Sequence, residues 1–386
     1  MTIYDDLRRD FNFRRHEGEI GLEIETEAKE SYEYPLLSFW TVHEDGSLRG
    51  PGPAEYVLKV PLEYSIIPES LIEFKEKTDH IDFTHDSITT SVHVHLNMLN
   101  ETWITLGNFL TIYALVENLL TRFAGNSRYS NCFCLPLCDA EENYHNILRL
   151  FEGVDKRHFH KFHFDEDNCK YAALNISCLT RLGSVEQRSL RGTTDIEVIQ
   201  LWVDLLYAIL VYSRQDITPV DIILRWKEQG LALLTDIWGE NVLVLQRDDE
   251  LFLVERNVWY ATNIATCIPD WKALDKAPGE IPQITNDEYD KYSMYMYGRV
   301  FNDLRPVDQI QVLQHFNEAV VKVNPLPLEW REELVNPLAG VRNQVIGNFE
   351  PFQPQIDPNQ FIGGGGGIDP LPRAAPRQRR RREGDA

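Results

Sequence analysis

The chain is short of cysteine, of basic charge and of long apolar runs, and each shortage excludes something. Only six of its 386 residues are cysteine. Cys132, Cys134 and Cys138 cluster, but no C-x-x-C pair frames a structural zinc site. Reduced thiols in a cytoplasmic protein are therefore expected rather than disulfides. Lysine and arginine total 38 against 60 acidic residues, a formal net charge of -22. A whole-protein field of that sign repels nucleic acid and membrane surfaces. The opening residues MTIYDDLRRDF hold no apolar h-region, so no secretory signal is expected. The most apolar stretch, Val198–Tyr212, is interrupted by Gln200 and Asp204. It falls short of the roughly 20 residues a membrane span needs and reads as a buried helix. No internal repeat is visible.

What is present is a globular composition, 43% hydrophobic and 25% charged, in a chain long enough for one large or two ordinary domains. Residues 19–27 read EIGLEIETE. In a strand, successive side chains point to opposite faces. Glu19, Glu23, Glu25 and Glu27 then share one face, with Ile20, Leu22 and Ile24 on the other. Carboxylates crowded that closely disfavour one another unless solvent or cations compensate.

Further along, Glu44-Asp45-Gly46-Ser47 and Gly50-Pro51-Gly52-Pro53 are turn signals, and Ala54–Val60 reads as a short strand. Within residues 88–98, Val92, Val94, Leu96 and Met98 alternate with His93, His95 and Asn97, a strand pattern. Trp103–Phe123 has helical spacing, with Glu117 expected as a capping or surface residue. Tyr171–Cys178 and Ser184–Leu190 read as two strands joined in a hairpin around Arg181-Leu182-Gly183. Ile196–Tyr212 is the buried helix. Thr218-Pro219-Val220-Asp221 starts another, expected to run to about Ile237. Later helices are expected over Asp287–Phe301 and Val307–Val323, and the aromatics Trp259-Tyr260 and Tyr289–Tyr297 as core, with a partner face as the alternative. These patterns divide the chain into a core over 1–240 and a helical part over 241–345, within the same domain or appended to it. Residues 346–386 are expected to form a Pro/Gly-rich linker and a disordered arginine-rich tail, with Arg373, Arg377 and Arg379–Arg382.

Four strand-like segments each place ionisable groups on one face: Glu23 and Glu25; Glu55; His93 and His95; Glu186 and Arg188, followed by Arg191. As neighbours in one sheet they would line a face with carboxylates, imidazoles and guanidinium groups. Carboxylates hold hard divalent cations, and such cations bridge nucleotide phosphates. Arginine binds phosphate or carboxylate as a planar fork.

In order, GLEIETE, D-G-S-L then A-E-Y-V, SVHVHLNM, YAALNIS and VEQRSLRGT resemble the motifs of the amidoligase family. These are ATP-dependent carboxylate–amine ligases related to glutamine synthetase and glutamate–cysteine ligase. The resemblance covers roughly residues 15–240, and Arg128-Tyr129-Ser130-Asn131-Cys132 is similar to the family's arginine, asparagine and cysteine segment. It implies an α+β fold: a curved, mostly antiparallel sheet, its concave face the active site, backed by helices. It implies a reaction in which ATP phosphorylates a carboxylate and an amine displaces the phosphate. By the same resemblance Glu23, Glu25, Glu55 and Glu186 would bind Mg2+ or Mn2+. His93, and with less support His95, would contact ATP phosphates. Arg188 would stabilise the transferring phosphoryl group, and Arg191 would hold phosphate or the substrate carboxylate. Tyr171 and Asn175 would line the substrate pocket. Two departures, Ser91-Val92 where the family often has glycine and Gln187 where it often has an aromatic, leave pocket shape open.

The implied partners are a carboxylate, such as glutamate or a peptide, and an amine. An oligomer is compatible with a family that often builds sites at subunit contacts. The arginine tail reads either as a binder of a polyanion or acidic partner, or as a solubilising end. His158, His160 and His163 form a second histidine cluster, read as a half-exposed strand or loop, with a metal site or lid as the alternative. Two rival readings remain: a metallohydrolase with zinc on His93, His95 and a glutamate, and a scaffold that keeps the ligase fold.

Overall fold

The computed structural model describes residues 2–275 except 9, 85–86, 129–130, 158, 160–170 and 246–254, and beyond 275 only Ser293 and Leu304. The chain forms two compact units, Met1–Ala339 and Gly340–Ala386, and every described residue falls in the first. The helices expected over Asp287–Phe301 and Val307–Val323, the aromatic run Tyr289–Tyr297 and the arginine tail lie outside the described residues. So do Cys169, Tyr129, Ser130 and the histidines His158, His160 and His163.

Among the described residues, six strands make one antiparallel sheet: β1 (Ile20–Ala28), β2 (Trp40–His43), β3 (Gly52–Leu58), β4 (Ser91–Asn97), β5 (Leu174–Asn175) and β6 (Ser184–Arg191). Their spatial order is β2-β3-β1-β4-β6-β5. Alternation decides which face is buried. Ile20, Leu22 and Ile24, Ala54 and Tyr56, and Val92, Val94 and Leu96 enter one hydrophobic cluster. The helices α2 (Ile67–Thr78), α3 (Trp103–Ala124) and α6 (Ile196–Ser213) complete that core.

Helix α3 starts where Thr102 accepts a bond from the Thr105 amide, and α6 where Asp195 accepts from Glu197 and Val198. Each cap satisfies amides that the first turn leaves orphaned. The buried Asn108 of α3 donates to Ser213 O at 3.0 Å and to Ile217 O at 2.9 Å, tying α3 to the end of α6. Both helices are long and apolar enough to cross a membrane, yet the apolar window of α3 is 94% buried inside the protein and that of α6 50% buried. Helix α3 is thus enclosed in the core, while α6 gives the core one face, and its length corrects the expectation that this stretch falls short of a span.

Short helices frame this core: α1 (Ile3–Leu7), α4 (Glu141–Asp155) and α5 (Cys178–Arg181). The helix begins at Thr218 as expected, with a capping box between Thr218 and Asp221, but stops early. It divides into α7 (Pro219–Gln229) and α8 (Ala232–Trp238). Gly230 between them has φ 58°, a left-handed conformation that glycine adopts freely and that ends a helix. Past residue 240, α9 (Glu255–Ala265) packs on α3, with Asn257 donating to Ala114 O at 2.8 Å. Tyr260 is buried there as expected, whereas Trp259, expected in the core, is exposed.

The hairpin expected over residues 171–190 is corrected. Its first strand is only Leu174–Asn175, and helix α5 fills the connection before β6. The reversal uses Gly183 at φ 76°, where a Cβ would overlap Leu99.

Candidate functional site

The face turned away from the core carries a line of polar groups across every strand. The register pairs His43 with Glu55, Glu55 with Glu25, Glu23 with His93, His95 with Glu186, and Glu186 with Asn175. Directly opposed residues in an antiparallel pair have Cβ atoms about 5 Å apart. The pairing therefore gathers side chains from sequence positions 23 to 186 into one cluster.

Glu23 is its hinge. His93 Nδ1 lies 3.0 Å from one of its oxygens and His95 Nε2 3.1 Å from the other. Glu186 is held from three directions: Arg188 Nη1 at 2.9 Å, Asn175 Nδ2 at 2.8 Å and the Cys178 thiol at 3.2 Å. Ser91 donates to Glu25 at 2.6 Å and meets His93 Nε2 at 2.7 Å. Ser184 meets His95 Nδ1 at 3.1 Å. Such outer contacts fix ring orientation and tautomer.

Two groups of three could each hold a cation: Glu23, His95 and Glu186, and Glu23, Glu55 and His93, with donor atoms in each within 4.8 Å of one another. Both share Glu23. Electrostatics in the cluster is that of crowded anions. Burial pushes the Glu55 carboxyl up, and the Glu23 and Glu25 charges add to it, to about 7. Glu186 is held below the usual range: burial opposes ionisation, but His95, His93 and Arg188 outweigh it. Glu23 is likewise depressed, its burial overcome by hydrogen bonds from His93 and His95. Burial and Arg188 oppose protonation of His93, yet Glu25, Glu23 and Glu186 raise it on balance. A bound cation would take the place of that proton, since imidazole ligates as the neutral base.

The sequence-derived residues divide as follows. Glu23, Glu55, Glu186, His93, His95 and Arg188 come together. Glu25 shares the face, but Ser91 binds its carboxylate and it belongs to neither three-residue group. Asn175 is present as a support for Glu186. Tyr171 is partly exposed and sets its ring against Phe133, 5.9 Å between centroids. Arg191 is not brought in: its guanidinium lies 3.4 Å from Phe123 O and 3.5 Å from Ala124 O, at the end of α3. Glu19, placed on the charged face by alternation, pairs instead with Arg214 at 2.8 Å and with Tyr207. Glu27 accepts from the Arg49 amide and Thr89 and so anchors loops.

Glu117 is the clearest correction. It is buried, not on the surface, and both oxygens receive the Leu137 amide at 3.0 Å. Ser184 has no place among the sequence-derived residues and Ser91 enters there only as a departure from the family pattern, although each stands two residues before a cluster member, the spacing that marks a shared strand face. Cys178 reaches the cluster only through α5, and no periodicity signals that.

A cleft of about 460 Å3 opens beside the cluster, lined by Phe13, Gly21, Glu23, Val57, His95 and Asn97 among others. No protein-family model matches the chain, and no curated protein matches it.

Proposed function

We propose that the protein is an ATP- and divalent-cation-dependent carboxylate–amine ligase. The observation that carries this reading is one sheet face where Glu23 is shared by two cation-holding groups and Arg188 is locked beside Glu186. Each group offers two carboxylates and one imidazole, an oxygen-rich set suited to Mg2+ or Mn2+ more than to zinc. The residues therefore fit the cations the reading requires.

Bound there, divalent cations would neutralise nucleotide phosphates and draw charge from the leaving group. The chain's own residues do the rest. Glu23 positions both imidazoles, and Asn175 and Cys178 hold Glu186 rigid. Arg188 spends one donor on Glu186 and stays partly open to solvent, leaving donors for the γ-phosphoryl oxygens. A substrate carboxylate oxygen attacks γ-phosphorus and ADP leaves. The amine nitrogen then attacks the acyl carbon of the acyl phosphate, phosphate departs and the nitrogen loses a proton. Because the enzyme's part is chiefly positioning and charge stabilisation, rigid support of Glu186 and Arg188 matters more than any single proton transfer. The neighbouring cleft, with Phe13 and Val57 on its walls, is sized for the nucleoside. The curved ligase sheet, a cytoplasmic location and a polyanion-binding tail belong to the same proposal.

The test is Mg2+-dependent ADP release from ATP with pooled amino acids, short peptides and amines, comparing wild type with Glu186→Gln. Substrate-stimulated release that is lost in the variant supports the ligase. Zinc retained through chelation, with no ATP turnover or binding, supports the hydrolase and refutes it.

A further inference from the structure

Between β4 and β6 the pairing slips: Val94 faces Gln187 and Val92 faces Leu190, so Arg188 and Ser189 together oppose His93. Two residues against one is a β-bulge, which re-aims a side chain and leaves backbone groups out of the ladder. Here it lets Arg188 reach Glu186 on the charged face while Leu190 still enters the core. The carbonyls at the bulge need donors, because an unpaired buried carbonyl costs free energy.

Arg128 supplies them. Its side chain comes from the turn after α3 and is 1% exposed. Nε donates to Ser189 O at 2.9 Å, Nη2 to Arg188 O at 3.0 Å and Nη1 to Thr90 O at 3.4 Å. All three acceptors are main-chain carbonyls, two at the bulge and one beside the start of β4. A buried guanidinium without a salt-bridge partner among the described residues is costly to place. Its planar fork matches three carbonyls in a way a single ammonium cannot.

We propose that Arg128 is a positioning residue of the site: by holding the bulge carbonyls it fixes the direction in which Arg188 points across the charged face. The inference rests on reading that face as a phosphoryl-transfer site. Arg128 touches no reactant and acts only through Arg188.

The experiment makes Arg128→Lys and Arg128→Gln in the full chain, each in wild-type and Arg188→Lys backgrounds. Glutamine buries no charge and carries the comparison if the lysine variant does not fold. ADP-release kinetics and hydrogen exchange of the 185–192 segment against β1 are read together. The expected kcat falls by roughly 10- to 100-fold, the scale of a misplaced catalytic group, with KM for ATP nearly unchanged. Exchange rises at 185–192 but not in β1, and the Arg188→Lys background suffers no further loss. Multiplicative losses in that background, or exchange rising equally in β1, overturn the proposal, since a merely structural residue gives both. If wild type releases no ADP, the reaction reading fails by itself, and the exchange comparison alone upholds or overturns the hold of Arg128 on the bulge.

Discussion

Replacing Glu117 by glutamine is expected to remove a pH-dependent weakness from the core. Glu117 sits in the middle of α3, fully enclosed, with the Leu137 amide on both oxygens. Burial pushes its carboxyl up from about 4.5 to about 8, with the Asp139 charge adding and the Leu137 and Tyr113 hydrogen bonds opposing. The sign follows from proton counting. Between those two values the folded state keeps a proton that the unfolded chain releases, so stability falls as pH rises. The contribution is fully favourable below the unfolded value and is lost by the time pH passes the folded one. Each pH unit inside the window costs about 1.4 kcal/mol. From pH 5.5 to 7.5 the wild type should therefore lose roughly 2–3 kcal/mol through this group alone. For a chain of this size that is a Tm change of roughly 3–6 °C. Glutamine keeps an oxygen for the Leu137 amide and has nothing to ionise. Melting curves of both proteins across pH 5.5–7.5 should diverge by that amount, the variant gaining with pH. Parallel curves would show that Glu117 is ionised in the fold, with a counter-charge or water that relieves its burial.

Other outcomes follow from the same geometry. Glu23→Gln removes the residue common to both cation-holding groups, so Mn2+ affinity measured by calorimetry should fall at least 100-fold, against a smaller loss for Glu25→Gln. Gly183→Ala meets both a left-handed backbone and the Leu99 side chain; chemical denaturation should show a loss of about 2 kcal/mol or more. Deleting Ile368–Ala386 removes the arginine run. Heparin binding should weaken in a salt-dependent way while ADP release stays at the wild-type rate.

Much of the site was legible because strand alternation is a strong signal when one face is apolar. Ile20, Leu22 and Ile24 fixed the phase of β1, and Val92, Val94 and Leu96 that of β4. With the phase known, Glu23, Glu25, His93 and His95 had to share the opposite face. What alternation cannot see is where a side chain goes once it leaves the face. Glu19 stands in phase with Glu23 but lies just outside the strand, where Arg214 at the end of α6 is within reach. Glu117 has the sequence look of a polar helix position. Its burial depends on the 131–137 segment folding over α3, a contact between elements that no local period encodes.

The bulge in β6 is the instructive case, because there alternation gives the right residue for an incomplete reason. Glu186 and Arg188 are two apart and so belong together, but the same rule carried onward puts Leu190 among the charges. Leu190 is instead fully buried opposite Val92. The phase must therefore slip by one residue between them. A slip leaves carbonyls without ladder partners, and in a buried strand those must find donors from elsewhere. Arg128, sixty residues from Arg188 in sequence, meets that demand. The burial of Leu190 and the placement of Arg188 beside Glu186 are compatible only with the bulge, and the buried guanidinium of Arg128 donates to two of its carbonyls. On the proposed reading of that face, a substitution at Arg128 would disturb phosphoryl transfer without removing any group that meets a reactant.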